Sequence, residues 1–288
     1  MTDALLEFAK KVVEQPVHHA IAAMAQKVAE HHQPVSAVLA YGSAFRDSNP
    51  EKTLIDFYVL TQDATSVSLN PLSRLLCGWV PPNVYYTEHV LDGKSYRAKY
   101  AVLPMEQLAG KLKGDIANPY FWARFAQPMR LLWAKDEVAR ERVYQLLARA
   151  MNTAQANATR LAPGSTTRDQ WVQLFENTYP TELRPEDPSR AKLIVDMQRE
   201  HFERIGQLAS PTVISYRPWS TRRWQGKLLS VMRLLKAAFT FRGGADYAAW
   251  KIERHSDVKI EVTDWQRRHP ILASITLLPK LLRKGTLK

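Results

Sequence analysis

Gly42 and Ser43 follow a short apolar segment, residues 35–41, and Asp56 lies within a second one, residues 54–60. A glycine lets a polyphosphate approach the backbone closely because no Cβ intervenes. The hydroxyl and N–H of Ser43 can bind a phosphate oxygen, and the Asp56 carboxylate can hold a divalent metal against the same phosphates. A buried carboxylate without a partner is costly, so a cation is expected beside Asp56. The spacing is typical of a nucleotidyl-transfer site with Mg²⁺ or Mn²⁺, although a structural turn and a strand aspartate give the same pattern.

A second metal ligand is not evident next to Asp56. Many sites of this kind carry another carboxylate two residues later, on the same face of the strand. Tyr58 occupies that position here. We therefore expect a second ligand to come from Asp63, Glu88 or Asp92. The alternative is a site that has lost its activity.

The elements that would position these residues mix helices and strands. Asp92 and Gly93 predict a tight hairpin turn, and Thr167 is expected to cap the helix that follows it. Residues 120–132 are rich in aromatic side chains and fit either a strand or a helix. The expected helices are 4–31, 104–112, 136–160, 168–178 and 189–208, and the expected strands are 35–41, 54–60, 83–90 and 95–103.

Five separated segments match, in order, the motifs of one known family. They are Tyr41-Gly42-Ser43-Ala44-Phe45; Leu54-Ile55-Asp56-Phe57; Tyr85-Tyr86 with Asp92-Gly93 and Lys99-Tyr100-Ala101-Val102; Tyr120 with Arg124 and Pro128; and Tyr179 with Arg184, Glu186-Asp187-Pro188 and Lys192. Together they resemble the mitochondrial-type CDP-diacylglycerol synthases, the translocator assembly and maintenance family, which also has bacterial members. The strand that corresponds to Asp56 lacks the second carboxylate in that family too.

The resemblance spans residues 41–208 and implies a reaction in which CTP and phosphatidate give CDP-diacylglycerol and pyrophosphate, with Mg²⁺. Catalysis of this type is mostly positioning and electrostatics, so fixed cations are expected around the phosphates. A surface ion pair is the alternative role for each of these cations. The implied catalytic residues are Asp56, Lys99, Arg124 and Arg184, with Asp56 also the metal ligand, and the implied nucleotide-binding residues are Tyr41, Gly42, Ser43 and Lys192.

The sequence departs from the family pattern at four positions. Ala44 and Ala101 replace glycines, Gln127 replaces a lysine and Glu182 replaces an aspartate. Gln127 removes one positive charge from the expected site. Two other functions therefore stay open: a nucleotidyltransferase-type enzyme with a soluble or nucleic-acid acceptor, and a non-catalytic protein that binds lipid or nucleic acid.

Composition limits the compartment and the possible site chemistry. The 288 residues contain a single cysteine, Cys77, which excludes an internal disulfide or a thiolate metal cluster and fits a buried core position. The first residues lack the zones of a secretory signal, and no run of about 18 apolar residues is present. We expect a cytoplasmic protein that associates peripherally with the inner face of the membrane.

The positive charge lies mostly at the C-terminal end. Residues 211–288 contain 16 basic and 5 acidic residues, which is a net +11 out of the +12 of the whole chain. Apolar helical stripes run through the same region, at Leu228, Leu235 and Phe239 and again at residues 271–282, with Trp219, Trp224, Trp250 and Trp265 nearby. This combination favours contact with an anionic membrane surface. The alternatives are packing against the catalytic domain and, less favoured because no recognition motif is present, nucleic-acid binding.

The complete prediction is an α/β fold in three regions. Residues 1–135 are expected to form a nucleotidyltransferase-like palm, residues 136–210 a helical domain that completes the site, and residues 211–288 a basic helical region. The expected partners are CTP, a phosphatidate-like lipid and an anionic membrane surface.

Overall fold

A computed structural model describes residues 2–42, 50–182, 189–210, 217–240, 245–246 and 262–268. Its strands are β1 (Val35–Tyr41), β2 (Leu54–Thr61), β3 (Asn83–Leu91), β4 (Lys94–Pro104) and β5 (Met129–Ala134). Its principal helices are α1 (Asp3–Val13), α2 (His19–Glu30), α3 (Pro71–Trp79), α4 (Met105–Lys111), α5 (Tyr120–Phe125), α6 (Glu137–Leu161), α7 (Thr167–Thr178), α8 (Ser189–Met197), α9 (Arg199–Leu208) and α10 (Trp219–Thr240).

The five strands form one mixed sheet in the order β3-β4-β2-β1-β5. Strands β2 and β4 are parallel, and the other neighbours are antiparallel. The expected hairpin between β3 and β4 is confirmed: Asp92 and Gly93 have φ angles of 51° and 75°, as a two-residue primed turn requires. The α/β class predicted from the sequence is therefore confirmed.

Both faces of the sheet are covered by helices. Side chains of alternate residues point to opposite faces of a strand, so Leu39 and Leu60 join the core formed with α1 and α4 to α9. Val38 and Val59 face the other way, into the core that contains α2. The first core includes Leu5, Trp171 and Trp219, which come from all three predicted regions. The division near residues 135 and 210 stays a prediction.

Several helix boundaries differ from expectation for local reasons. The single helix predicted at 4–31 is two helices, α1 and α2, because Pro16 lies in the break and cannot donate a backbone hydrogen bond. The helix predicted at 189–208 is also two, α8 and α9, with Gln198 between them. Thr166, not Thr167, caps α7, and its hydroxyl accepts from the Asp169 N–H at 3.2 Å.

Other segments needed the tertiary structure to be assigned. The ambiguous residues 120–132 contain both α5 and the start of β5, with Pro128 between them. The sequence analysis did not predict α3, although Asn70 caps its first turn and Pro71 occupies its first position, both common at helix starts. Cys77 lies on α3 and is buried in the core, as expected for a structural cysteine.

The C-terminal basic region contributes one long described helix, α10, which packs on the rest of the chain. A Cβ on Gly226 would lie 2.4 Å from the Thr181 carbonyl oxygen, so the helix backbone approaches the turn after α7 closely. Lys236 donates to the carbonyls of Val80 and Pro82, the latter at 2.6 Å. Of the helices within the described ranges, none combines the length and apolar content that crossing a bilayer requires.

Candidate functional site

Strand register brings three of the predicted site residues into one row. Tyr41 of β1 is paired with Asp56 of β2, and Asp56 is paired with Lys99 of β4. Directly paired residues project from the same face of a sheet. The row lies on the face covered by α5 and α6, at the point where β1 ends and the chain turns at Gly42.

Asp56 and Lys99 form an ion pair in which Lys99 Nζ lies 3.3 Å from Asp56 Oδ1. Their side chains are 21% and 24% exposed, so the pair is neither fully buried nor freely solvated. Asp56 Oδ1 is itself buried and receives no hydrogen bond of good geometry. The cation expected beside Asp56 is thus supplied at least in part by Lys99, and the carboxylate still has bonding capacity for a ligand.

Gly42 lies directly beside the Asp56 carboxylate. Its φ of +88° is in the region that side chains rarely adopt, and a Cβ there would lie 3.4 Å from Asp56 Oδ2. Any other residue would therefore be strained and would occupy space next to the carboxylate. The approach of a polyphosphate to this backbone, for which the sequence analysis proposed a glycine, stays a prediction.

Arg124 of α5 lies against the same group of side chains. Its Nε donates to the Tyr120 hydroxyl at 3.1 Å, and its guanidinium lies over the rings of Tyr41 and Tyr120, 5.2 and 5.0 Å from their centroids. No described carboxylate forms an ion pair with Arg124, although the residue is only partly exposed. A cation held by tyrosines alone is suited to bind an anionic ligand.

Tyr58 fills the place where many related sites carry a second carboxylate. It is 4% exposed and stacks on Tyr41, with 4.8 Å between ring centroids, and its ring meets that of Phe125 at a tilt of 46°, with 4.6 Å between centroids. Burial raises the pKa of its hydroxyl, so it stays neutral at physiological pH. Tyr58 is therefore part of an aromatic wall beside Asp56.

The carboxylates considered as second metal ligands have other structural roles. Asp63 lies beyond the opposite end of β2, where its Oδ1 accepts from the N–H groups of Thr65 and Ser66 at 2.8 and 3.0 Å. Glu88 binds Arg97 at 2.9 Å, and Asp92 forms the hairpin turn. Across the described parts of the chain, His, Cys, Asp and Glu form no cluster of three that could hold a metal. Of the four carboxylates considered, Asp56 alone lies in this row, and its role as a metal ligand stays a prediction.

Comparisons with known proteins show distant similarity at the level of structure only. No protein-family model matches the chain, and no curated protein sequence matches it. Among solved structures, it is similar to a nucleotidyltransferase-like protein from Exiguobacterium sibiricum 255-15, with 13% identity over 93% of this chain and 91% of that one and a TM-score of 0.27. At that TM-score the similarity carries no argument about the site, whose interpretation depends on the geometry above and on the sequence motifs.

Three predicted site residues are not among the side chains around Asp56. Ser43 and Arg184 fall outside the described residues. Lys192 is exposed on α8, where its charge helps to lower the pKa of Asp196 after the larger effect of the Arg168 hydrogen bond. The described packing of α8 is against α7 and α9. Nucleotide binding by Lys192 stays a prediction.

The structure also places near Tyr58 several residues that the sequence analysis did not select. Arg233 of α10 binds Glu182 with 2.7 Å between Nη1 and Oε1, and the charges of both act on the Tyr58 hydroxyl. Lys111, at the end of α4, lies close enough to Arg233 for their charges to interact. No local pattern could have found these residues, because Arg233 is 51 residues from Glu182 in the chain.

Proposed function

We propose that this protein transfers a cytidylyl group from CTP to phosphatidate or a similar phospholipid. A phosphate oxygen of the acceptor would attack the α-phosphorus of CTP, forming a new P–O–P linkage as the bond to the β-phosphate breaks and pyrophosphate leaves. The single observation that best supports transfer at this site is the position of Asp56, beside Gly42, which has no side chain, and the ammonium group of Lys99.

Asp56 fits the role of a Mg²⁺ ligand, with Mn²⁺ as the alternative. Its buried Oδ1 lacks a hydrogen bond, and the missing Cβ of Gly42 leaves space beside Oδ2. Protein sites often hold Mg²⁺ through only one or two carboxylates, with water and substrate phosphates completing the shell. When bound, the metal would neutralise charge on the phosphates.

The residues around Asp56 would position and stabilise the reacting groups. Lys99 orients the Asp56 carboxylate and places positive charge where phosphate oxygens would lie. Arg124 supplies a second fixed cation, which the rings of Tyr41 and Tyr120 and the Tyr120 hydroxyl hold in place. Ser43 would add a hydrogen bond to the nucleotide phosphates.

The choice of CTP and of a lipid acceptor follows from the motif resemblance, and a surface feature supports the lipid. Helix α10 exposes an apolar stripe of five residues along one face, and Arg223 and Lys227 border it. The stripe consists of Trp224, Leu228, Val231, Met232 and Leu235, which are 38–67% exposed. A helix of this type suits peripheral contact with an anionic membrane surface.

A transfer assay tests the proposal. The full chain is incubated with CTP labelled at the α-phosphate, Mg²⁺ and phosphatidate in mixed micelles, and both lipid-extractable label and pyrophosphate are measured. We expect equal amounts of the two products, and strongly reduced amounts of both with an Asp56→Asn variant. Pyrophosphate release with a soluble or nucleic-acid acceptor but not with phosphatidate would replace the lipid acceptor. Absence of transfer with every acceptor and nucleotide triphosphate would contradict an enzymatic function.

A further inference from the structure

The surface around Asp56 is open in one direction along the strands. On one side of Asp56 the next row consists of Tyr58 paired with Ala101, and both are buried. On the other side it consists of Leu54 paired with Arg97, whose side chain is 26% exposed. An elongated ligand that binds at Asp56 can therefore extend along the strands towards Arg97 without displacing buried side chains.

The glycine turn lies on the same side of the Asp56 row. Strands β1 and β2 are antiparallel and pair Tyr41 with Asp56, so Gly42 follows in the direction that leads from Asp56 to Leu54. Because β2 lies between β1 and β4 in the sheet, Gly42 and Arg97 flank β2 from opposite sides at the same end of the row. The space left by the missing Cβ beside Asp56 Oδ2 is thus on the open side.

Arg97 and Lys99 form a pair of cations on β4. Residues two apart on a strand project from the same face, about 7 Å from each other along the strand. Their side chains are 26% and 24% exposed, so solvent reaches both. Two cations at this spacing suit an anion that carries successive charged groups, such as a polyphosphate.

Arg97 has bonding capacity that its partner does not use. Glu88 is paired with Arg97 across β3 and β4, and its Oε1 accepts both from Arg97 Nη2 at 2.9 Å and from the Ser95 hydroxyl. The Nε of Arg97 has no hydrogen-bond partner among the described residues. A guanidinium presents five donors in a planar fork that matches phosphate oxygens. Glu88 is 41% exposed, and an ion pair of this kind contributes little to stability, so exchanging Glu88 for a phosphate costs little.

We infer that Arg97 binds the β- and γ-phosphates of the nucleotide, the part that leaves as pyrophosphate. This assignment rests on the proposed function, because it takes a nucleoside triphosphate as the ligand at Asp56. The α-phosphate would lie at Asp56 and Lys99, and the remaining two phosphates would extend along β4. At Arg97 the guanidinium stabilises the negative charge that develops on the leaving group as its bond to the α-phosphorus breaks. None of the five sequence motifs includes Arg97.

Arg97→Gln provides the first test, with Lys94→Gln as the matched control. Lys94 is on the same strand but on the opposite face, and its substitution also removes an ion pair, with Glu51 at 3.2 Å. Calorimetric titration in the presence of Mg²⁺ would measure binding of CTP, CMP and inorganic pyrophosphate to the full chain. We expect Arg97→Gln to raise the dissociation constants for CTP and pyrophosphate by about tenfold or more, the scale of a hydrogen bond to a charged group. The constant for CMP should change by less than about twofold, as should all three constants in Lys94→Gln.

Glu88→Gln separates phosphate binding from a structural role of the ion pair. This substitution removes the carboxylate that competes with phosphate for Arg97, so the dissociation constant for CTP should stay unchanged or fall. If the ion pair only maintained the shape of the site, Arg97→Gln and Glu88→Gln would weaken CTP binding alike. Thermal unfolding checks the fold: both melting temperatures should stay within about 4 °C of the wild type, because the pair is partly exposed.

The outcomes distinguish this contact from the proposed function. The assignment is overturned if the wild-type protein binds neither CTP nor pyrophosphate, if Arg97→Gln leaves both constants unchanged or weakens CMP binding equally, or if Glu88→Gln weakens CTP binding as strongly as Arg97→Gln. Binding of CTP and pyrophosphate that depends on Arg97, without transfer to phosphatidate, would support the contact and contradict the lipid transferase. Transfer to phosphatidate with an unchanged KM for CTP in Arg97→Gln would support the transferase and contradict the contact.

Discussion

Lys99 on β4 lies directly opposite Asp56 on the parallel strand β2, and its Nζ is 3.3 Å from Asp56 Oδ1. Cross-strand neighbours of opposite charge stabilise a sheet only modestly. This pair also lies at the strand end beside Gly42, where a Cβ would approach Asp56 Oδ2. The arrangement places a carboxylate and a cation together next to a residue that has no side chain.

Asp56→Asn should abolish most activity while the fold is retained. The substitution keeps the size of the side chain and removes the charge that would hold the metal and orient Lys99. We expect the turnover number to fall by about two orders of magnitude or more, a typical scale for losing a key electrostatic group. Steady-state transfer kinetics with circular dichroism would check this. Asp92→Asn, at the hairpin turn, is the control and should be nearly normal; near-normal turnover in Asp56→Asn itself would exclude the metal role.

Gly42→Ala should impair CTP binding through the backbone. Alanine at this position would have to adopt a φ of +88°, and its Cβ would lie 3.4 Å from Asp56 Oδ2. We expect a destabilisation of roughly 1 kcal/mol or more together with a weaker affinity for CTP. Gly110→Ala is the control because a Cβ on this α4 glycine meets nothing within 4 Å. Unchanged CTP affinity in Gly42→Ala would mean that the turn is only structural.

Protonation of His201 should weaken the fold in mild acid. Burial lowers the pKa of His201 to about 4, and its neutral ring donates Nε2–H to the Ala126 carbonyl at 2.8 Å. Because the unfolded chain binds this proton near pH 6.5 and the folded one near pH 4, stability should fall as the pH decreases through that window. The loss should reach at most roughly 3 kcal/mol.

The contribution of His201 can be isolated by comparing variants. His201→Gln removes the titrating group, so its free energy of unfolding should vary less between pH 4 and pH 6.5 than that of the wild type. His19→Gln serves as the control because His19 is exposed. Urea unfolding at several pH values gives the measurement. Identical pH dependence in the wild type and His201→Gln would show that this histidine is not held neutral.

Local patterns were sufficient to predict much of the sheet. The apolar segments of β1 and β2 end at recognisable turn residues, and Asp92-Gly93 favours one hairpin geometry. The same reasoning placed Gly42 and Asp56 together, because antiparallel neighbours that meet at a strand end bring their residues close. These features depend on residues that are near in sequence or in adjacent strands.

Long-range relationships could not be predicted from such patterns. The parallel pairing of β2 with β4 requires a connection of more than 30 residues, and only this pairing brings Lys99 to Asp56. The contact of Arg233 with Glu182 likewise depends on how α10 docks. Charge in the C-terminal region indicated an anionic partner, but the sequence could not separate the residues of α10 that face solvent from those that face the site.

The last prediction concerns the exposed face of α10 and membranes. Deleting residues 216–288 would remove both that face and the packing made by Gly226 and Arg233, so point substitutions are the sharper test. The side chains of Trp224 and Leu235 are 67% and 61% exposed, so replacing both with serine should leave the core packing unchanged. Phe239 and residues 271–282, also expected to insert, lie outside the described side chains.

Co-sedimentation with vesicles across a salt series would measure both parts of the contact. Binding to phosphatidylglycerol vesicles should be strong at low salt and weaken as salt rises, since screening acts over about 8–10 Å. Arg223→Gln with Lys227→Gln should reduce binding at low salt by about 2 kcal/mol, because each basic residue near an anionic surface contributes about 1 kcal/mol. Trp224→Ser with Leu235→Ser should instead remove the binding that persists at high salt.

The control is Lys27→Gln, on α2 at the opposite face of the sheet, which should change neither the low-salt nor the high-salt binding. Equal binding to phosphatidylcholine and phosphatidylglycerol vesicles would exclude an electrostatic contact. Absence of binding to both would mean that α10 only packs against the rest of the chain.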